Sequence, residues 1–394
     1  MTAPQCRKVL IGALWWTACV LGCGGMLAQT SGSSAASKST AAHVRAPGWW
    51  PTKGDRSRTE YVGATECAGC HSTESEDFGN SAMAHAATPA PDSSPLRQHD
   101  HLTFQIGDYD YRIDTSGGKS IFTVSQGETS HSDSLLWGFG AGRIAQTYVY
   151  QESGNFHEAH LSFYTALQAL DVTPGHPRTQ PPNVVEGAGR LIPADEARRC
   201  FGCHTTASST KNQFDPRNLV PGVSCEQCHG PGAAHVAAAK AGNYNLALRS
   251  ILNPAHLNPV ESVDFCGACH RTHQDVLLDS PARIGRLNVR FAPYRLENSQ
   301  CWKAGRGDAR ITCLTCHDPH QPLVVDPAAY DSKCLQCHVA AGEKKNAGDH
   351  RTACPTGVKL CVTCHMPKFT NPGFHFTFTD HWIRIAPPGS PLPD

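Results

Sequence analysis

Between residues 100 and 165 the chain alternates apolar and polar side chains in short runs. Residues 101–106 and 109–113 alternate with a period of two, which is typical of strands that bury one face. Gly107 and Asp108 lie between these runs and suit a tight hairpin turn. Residues 121–124 and 147–150 are further β-rich runs, so this region predicts a small antiparallel meander.

The rest of the chain has no long periodic run. Residues 193–200, 232–242 and 331–338 are short stretches of helical character, and Gly and Pro interrupt the sequence between them. The pattern therefore predicts a mainly α-helical chain with much irregular structure, into which a small antiparallel β region is inserted.

The amino terminus has the pattern of an export signal. Two basic residues precede an apolar run at residues 9–21, which is short for a permanent membrane span. The run leads into Cys23 in a context that resembles a bacterial lipobox, which makes Cys23 a candidate for lipidation and membrane anchoring. Cys19 and ordinary cleavage near Ala28 are the alternatives. We expect an exported protein, located in the periplasm or at the outer cell surface.

A five-residue motif, Cys-x-x-Cys-His, occurs seven times and dominates the chemistry of the chain. Random placement of 19 Cys and 22 His in 394 residues would give about 0.05 copies. The motif is the attachment signature of c-type haem, in which two thiols bind the porphyrin and the His becomes an axial ligand of the iron. The predicted thioether cysteines are Cys67, Cys70, Cys200, Cys203, Cys225, Cys228, Cys266, Cys269, Cys313, Cys316, Cys334, Cys337, Cys361 and Cys364. The predicted proximal ligands, in the first to the seventh motif, are His71, His204, His229, His270, His317, His338 and His365.

Zinc is the main alternative to haem at these positions. Cys-x-x-Cys pairs also build zinc ribbons, and the gap from Cys203 to Cys225 is of ribbon length. A zinc site gives no reason for a His to follow every pair, whereas haem attachment does. We therefore predict seven covalently bound c-type haems as the cofactors.

Composition agrees with a chain that relies on cofactors for part of its core. Apolar residues make up 40%, below the roughly 45–50% of ordinary globular domains. Lys and Arg number 34 and are balanced by 34 Asp and Glu, without the clustered basic surface of a nucleic-acid-binding protein. We expect no nucleic-acid partner.

Each iron needs a second axial ligand unless one position is left open. Only four Met are present, two in the export segment and one directly after a proximal His, which leaves Met83. The 22 His less the seven in motifs leave 15, so most irons should carry His on both faces and have low potentials. His273 and His320 each lie three residues beyond a proximal His and can reach a neighbouring haem, but not their own.

Longer stretches around the motifs resemble multihaem c-type cytochromes related to the tetrahaem electron acceptor of hydroxylamine oxidoreductase and to pentahaem nitrite reductase. The matching stretches are residues 61–63, 67–85, 228–235, 316–320, 364–368 and 378–381. The resemblance covers roughly residues 59–385 and is loose in the β region. It implies a largely helical, irregular fold wrapped around stacked haems.

The same resemblance suggests distal ligands by position. It points to the His after the first motif, the His of the Gly-Pro-Gly segment, the His of Asp-Pro-His and the His near the carboxyl terminus, and also to two others near the last motif. With His273, the distal candidates are His85, His235, His273, His320, His350, His375 and His381. One feature is missing: the Cys-x-x-Cys-Lys motif of the nitrite-reducing active site does not occur.

These features divide the chain into six parts. The expected parts are an export signal at 1–28, a flexible tether at 29–58, a first haem segment at 59–99, a β-rich insert at 100–185, a six-haem domain at 186–385 and a Pro-rich tail at 386–394.

The leading functional interpretation is an electron carrier with closely spaced haems and redox protein partners. One alternative is a multihaem oxidoreductase that acts on a small nitrogen or sulfur oxyanion at an open haem. Another is a structural unit of a conductive surface assembly. The surplus of His and the missing Lys motif favour a carrier over a catalyst, so no catalytic residue is predicted.

The motifs make a direct prediction about cofactor load. Protein produced with a haem-maturation system should carry seven covalent haems, measured by pyridine-haemochrome absorbance together with mass spectrometry. A count of five or fewer would contradict the interpretation of the motifs. Cys228→Ser should remove one thioether bond and destabilise the segment around the third motif.

Overall fold

The computed structural model describes residues 57–210, 213–217, 219–279, 286–304, 310–339, 352–355, 357–387, 389–390 and 392. The strands are β1 (Ala87–Pro89), β2 (His101–Ile106), β3 (Tyr109–Ser116), β4 (Lys119–Gln126), β5 (Thr129–Phe139), β6 (Ala145–Glu152), β7 (Asn155–Tyr164), β8 (Ala169–Val172), β9 (Gly189–Leu191), β10 (Thr205–Thr206), β11 (Ser209–Thr210), β12 (Gln213–Phe214), β13 (Val220–Pro221), β14 (His338–Val339), β15 (Thr352–Ala353), β16 (Lys368–Asn371) and β17 (Phe376–Thr379).

Most of the helices are short. They are α1 (Ala64–Ala68), α2 (Ser72–Gly79), α3 (Ser94–Gln98), α4 (Val184–Ala188), α5 (Ala194–His204), α6 (Cys225–His229), α7 (Ala233–Lys240), α8 (Tyr244–Arg249), α9 (Pro259–His270), α10 (His273–Asp279), α11 (Ala292–Glu297), α12 (Gln300–Ala304), α13 (Cys313–Cys316), α14 (Asp331–Cys334) and α15 (Cys361–His365). Within the described residues, no helix is long and apolar enough to cross a lipid bilayer.

Strands β1 to β9 form one nine-stranded antiparallel sheet. Its main order is β2-β3-β4-β5-β6-β7-β8, with β1 paired to β5 and β9 paired to β7. The predicted hairpin is present, because Ile106 pairs with Tyr109 across a turn in which Gly107 has a φ of 57°. That backbone conformation lies in the left-handed region, where glycine carries no side-chain penalty.

The predicted fold class was wrong. The β region is not a small insert in a mainly α-helical chain, because the large sheet has a hydrophobic core of its own. Strand β7 is buried along its whole second half, so its sequence lacks the alternation that marks a one-sided strand. The 11-residue strand β5 begins with an exposed, polar half that has little apolar content to signal a strand.

The sheet buries apolar side chains on two faces. The larger core includes Leu96, Tyr109, Phe122 and Leu161, each no more than 1% exposed. The pairing shifts register between Leu135 and Trp137 in β5, and again in the middle of β6. Such bulges turn neighbouring side chains toward the other face, and here Trp137 joins a second apolar cluster.

This second cluster attaches helix α5 to the sheet. Phe201 of α5 is fully buried, and its ring lies 5.0 Å from that of Phe139 and 5.7 Å from that of Trp137. The rings of Phe156 and Phe214 complete the contact at 5.3 and 4.7 Å. Since Phe201 is a spacer residue of the second motif, the sheet supports that motif directly.

The carboxyl-terminal part of the chain has a much smaller apolar core, centred on Val263, Leu296 and Trp302. It contains instead a buried ion pair, in which Arg295 donates two hydrogen bonds of 2.8 and 2.9 Å to the carboxylate of Asp380. Arg295 is 1% exposed and Asp380 is fully buried. Removing one partner of such a pair leaves an uncompensated charge, which is far more costly than losing a surface ion pair.

The aromatic contact between α5 and the sheet should contribute strongly to stability. Phe201→Ala should lower the free energy of unfolding by about 3–5 kcal/mol, because it removes a fully buried ring and leaves a cavity. Equilibrium denaturation followed by circular dichroism would measure this. Leu191→Ala is the matched control, since Leu191 is 52% exposed and its loss should cost about 0.5 kcal/mol or less. Equal effects of the two substitutions would contradict the assigned role of Phe201.

Candidate functional site

All seven Cys-x-x-Cys-His motifs line one continuous cavity of about 3700 Å³. We call this cavity the chamber. Sites for single small ligands usually measure roughly 300–1,000 Å³, so the chamber has room for several large groups. Its wall combines the motifs with residues from α7, α8 and the hairpin β16–β17.

The motifs face the chamber because most of them lie on helical turns. Helices α5 and α9 end in the second and fourth motifs, and α6 and α15 consist of the third and seventh motifs. On a helix, residues separated by three and four positions share a face. The two Cys and the His of one motif therefore point to the same side, as covalent attachment and axial ligation of one haem require.

Three motif histidines have a second histidine opposite them. The ring centres are 6.3 Å apart for His71 and His235, 6.0 Å for His229 and His320, and 6.3 Å for His317 and His381. An iron between two imidazoles requires about 6.2 Å between ring centres, from two bonds of about 2 Å and roughly 1.1 Å from each nitrogen to its ring centre. These three pairs therefore have the spacing of bis-histidine ligation.

Backbone carbonyl groups orient several of these rings. The Nδ1 atoms of five histidines each lie 2.8–3.2 Å from a carbonyl oxygen. The five are His204, His229, His235, His365 and His381. Because a carbonyl oxygen only accepts, Nδ1 must carry the proton and Nε2 of the neutral ring is left as a donor to metal. This arrangement is typical of metal-ligating histidine.

Burial favours the neutral form of the rings in the chamber wall. Desolvation lowers the pKa of His229, His270 and His317 below the usual value. It lowers the pKa of His381 to about 4, where the neighbouring His317 adds to the effect. Since only neutral imidazole binds metal, the environment prepares these side chains for ligation.

The apolar wall of the chamber also fits porphyrin. Leu248, Leu323, Val325 and Ile385 all line it, although their side chains are 66–84% exposed to the chamber or solvent. Large apolar surfaces of this kind usually mark a site for a ligand or partner. The flat apolar faces of haem would cover them, so the donor set and the wall both fit the cofactor that the motifs imply.

Cysteines of different motifs lie close to one another. A hydrogen bond with the thiol of Cys225 raises the pKa of Cys67, so the first and third motifs are in contact. A similar bond links Cys266 of the fourth motif to Cys313 of the fifth and raises the pKa of Cys266. Burial and then the nearby Cys266 thiol raise the pKa of Cys228 to about 12, which places the third motif beside the fourth.

The sixth and seventh motifs extend this series of neighbouring motifs, whereas the second motif lies beside the fourth. Burial and then the thiol of Cys334 raise the pKa of Cys316, so the fifth motif lies beside the sixth. The Asp331 carboxylate, at the start of helix α14, which leads into the sixth motif, accepts a 2.9 Å hydrogen bond from the amide of Cys361 in the seventh. The second motif joins from the side, since the thiol of Cys203 donates a 3.6 Å hydrogen bond to the carbonyl of Ala268 in the fourth.

The structure brings some of the predicted distal ligands to a motif histidine and places others elsewhere. His235, His320 and His381 lie opposite His71, His229 and His317, as described above. Nε2 of His85 lies 2.9 Å from the carbonyl oxygen of Gly79. The ring of His273 packs on that of Tyr294, with centres 5.2 Å apart. His350 lies outside the described residues.

His375 contacts the sheet. Its Nε2 lies 2.6 Å from the carboxylate of Asp171 in β8, and its ring packs edge-on against Tyr164 of β7. Arg178 donates two further hydrogen bonds of 2.9 Å to Asp171. These contacts attach the hairpin β16–β17 to the sheet.

Sequence reasoning missed the buried ion pair that supports His381. Asp380 directly precedes His381, and its carboxylate accepts hydrogen bonds from Arg295, from Arg384 and from the amide of Trp382. Arg295 is 85 residues away in sequence, so no local pattern could reveal the contact. The signal that could have been used was an acidic residue beside a candidate ligand.

Comparisons with known proteins point to the same class of cofactor. The family described as cytochrome c554 and c-prime matches residues 175–230, which include the second and third motifs. The multiheme cytochrome MtrA of Shewanella baltica (strain OS185) is 23% identical over 179 residues, covering 36% of this chain and 52% of MtrA. The chain thus spans about half the length of this curated relative.

Among solved structures, the chain matches the outer cell wall cytochrome OcwA. It has 14% sequence identity and a TM-score of 0.49, and the match covers 82% of this chain and 80% of OcwA. The motifs, the family match and the curated relative together support a multihaem c-type cytochrome with covalently bound c-type haems. The wider relationship to hydroxylamine oxidoreductase partners and nitrite reductase stays a prediction.

Two substitutions separate ligating from structural histidines. His320→Ala removes the ring opposite His229, so the ferric protein should gain a high-spin signal from one iron while every covalent haem stays attached. His375→Ala is the matched control, because Asp171 holds that ring and the spin state should not change. Electron paramagnetic resonance and mass spectrometry would measure both. A high-spin signal from the His375 variant would identify that residue as a ligand after all.

Proposed function

We propose that this multihaem c-type cytochrome is an exported electron carrier that passes electrons between redox protein partners through closely spaced haems. The observation that carries the proposal is the continuous chamber, which touches all seven motifs. A single-substrate enzyme needs one accessible centre, whereas a carrier needs an unbroken series of centres across the molecule.

The contacts between motifs support an order for that series. The main line runs through the first, third, fourth, fifth, sixth and seventh motifs, and the second motif branches from the fourth. Bound haem supplies a one-electron couple at each position. The contribution of the chain is to hold the attachment cysteines of neighbouring motifs close together, which keeps the distance between successive centres short.

The ligands of the irons follow from the same geometry. We propose the seven motif histidines as proximal ligands and His235, His320 and His381 as distal ligands of the first, third and fifth motifs. Neutral imidazole on both faces leaves no position for a substrate at those irons and gives low reduction potentials. His85, His273 and His350 stay candidates for the other four motifs, with His256, which also lines the chamber, as the substitute for His375.

The cofactor number and the cellular setting are part of the proposal. Seven Cys-x-x-Cys-His motifs support seven haems. The export pattern at residues 1–28 supports a position in the periplasm or at the outer cell surface, and Cys23 supports attachment to a membrane through lipid. In this arrangement residues 29–58 connect the anchor to the haem-binding part.

Ligand binding to the reduced protein tests the proposal. With His on both faces, the reduced protein should bind carbon monoxide poorly and should turn over nitrite and hydroxylamine slowly. The His320→Ala variant is the positive control, since its open iron should bind carbon monoxide. A strong high-spin band in the unmodified protein, together with rapid turnover of either substrate, would contradict the proposed role as an electron carrier and favour an oxidoreductase.

A further inference from the structure

The spacer of the third motif contains a charged residue that the haem chemistry does not require. The spacers of the other six motifs consist of apolar, small or uncharged polar residues, whereas the third has Glu226 and Gln227. Glu226 is nevertheless 2% exposed and Gln227 is 4% exposed. Acidic side chains are rarely buried to this extent unless their oxygens have specific partners.

The partners of Glu226 are three backbone amides from two other segments. Oε1 accepts hydrogen bonds of 2.9 Å from the amide of Val62 and 2.8 Å from that of Gly232. Oε2 accepts a bond of 2.9 Å from the amide of Gly63. The Glu226 carboxylate thus joins its own segment to residues 62–63 and to Gly232. Val62 and Glu226 are 164 residues apart in the sequence.

Each of these segments leads into a helix that contributes to a pair of histidines. Gly63 is the residue before α1, which contains Cys67 and is followed by His71. Gly232 is the residue before α7, which contains His235. Neither helix start has a side-chain cap of its own, so Glu226 is placed where both helices begin.

The histidine that follows α1 and the histidine on α7 are the pair His71 and His235, whose ring centres are 6.3 Å apart. We propose that Glu226 is the positioning residue of this pair, and that its carboxylate sets the separation of the two imidazoles at the first motif. The inference rests on the proposed function, in which an iron lies between those rings. Glu226 does not touch the iron and acts through α7, which carries His235, and through α1, which leads to His71 at the start of α2.

Steric packing at Gly232 adds a second observation. A Cβ added to Gly232 would lie 2.9 Å from Cγ2 of Val62 and 3.3 Å from Oε1 of Glu226. Real Cβ atoms are essentially never as close as the first of these distances, so with valine at position 62 the two segments can approach this closely only if residue 232 is glycine. The lack of a side chain at Gly232 therefore allows the amides of Val62 and Gly232 to share Oε1 of Glu226 as their acceptor.

Glu226→Gln tests the role of the carboxylate. An amide has one acceptor oxygen, so in either orientation its NH₂ group faces at least one of the three backbone donors. The variant should keep every covalent haem, because no attachment cysteine changes, and should gain up to one high-spin iron per chain. Added imidazole should restore the low-spin state by replacing the displaced ligand.

Glu66→Gln is the matched control. Glu66 of α1 forms an ion pair with Lys240 of α7, so it links the same two helices, but at the surface. Exposed ion pairs contribute little, and this variant should have the same spin state as the unmodified protein. An unchanged spin state in Glu226→Gln, or an equal change in Glu66→Gln, would overturn the inference.

A second set of variants provides a test if the Glu226→Gln protein does not acquire covalent haem. Gly232→Ala retains the carboxylate but forces the segments apart, and should also produce high-spin iron. Val62→Ala combined with Gly232→Ala removes the contact with Cγ2 and should return the low-spin state. Equal spectra of the single and double variants would contradict the inference. Absence of covalent haem from the unmodified protein would overturn the proposed function as well, which separates the two failures.

Discussion

The haem-binding motifs, from the first at residues 67–71 to the seventh at 361–365, surround one common interior. Seven motifs converge on a chamber of about 3700 Å³, and apolar residues such as Val325 and Ile385 are exposed along its wall. Among the residues described after position 230, the apolar cluster around Val263 is small. Haem would supply the missing apolar contacts, so folding and cofactor attachment should be coupled, as they are in small metal-binding domains.

Polar groups around the chamber compensate for the lack of a conventional core. The rings of His229 and His381 are held by backbone carbonyls, Glu226 accepts three amide hydrogen bonds, and Asp380 pairs with Arg295. Each contact joins segments that lie far apart in sequence or fixes the orientation of one ring. Short helices alone could not hold the imidazoles, because helices of about five residues are unstable without tertiary contacts. The positions of the imidazole rings are therefore specified by hydrogen bonds more than by apolar packing.

The large sheet provides the rigid part to which the chamber is attached. Phe201 connects the second motif to the sheet, and His375 connects the hairpin that precedes His381. Sequence patterns identified the β2–β3 hairpin but underestimated the sheet, because β7 is buried on both faces in its second half and so does not alternate. The pattern around His375 resembled a ligand segment, and in the structure that ring is hydrogen-bonded to Asp171.

The sequence by itself determined the chemistry, because Cys-x-x-Cys-His is a local unit whose three reactive side chains share one helical face. The resemblance to multihaem cytochromes also suggested His235, His320 and His381 as distal ligands, and those roles stay a prediction. Only the tertiary structure decided which histidines face each other and which motifs are neighbours. Those relations depend on contacts over long stretches of chain, such as Glu226 with Gly63 and Arg295 with Asp380. Local periodicity contains no information about such contacts, because burial and hydrogen bonding between distant segments arise only when the whole chain has folded.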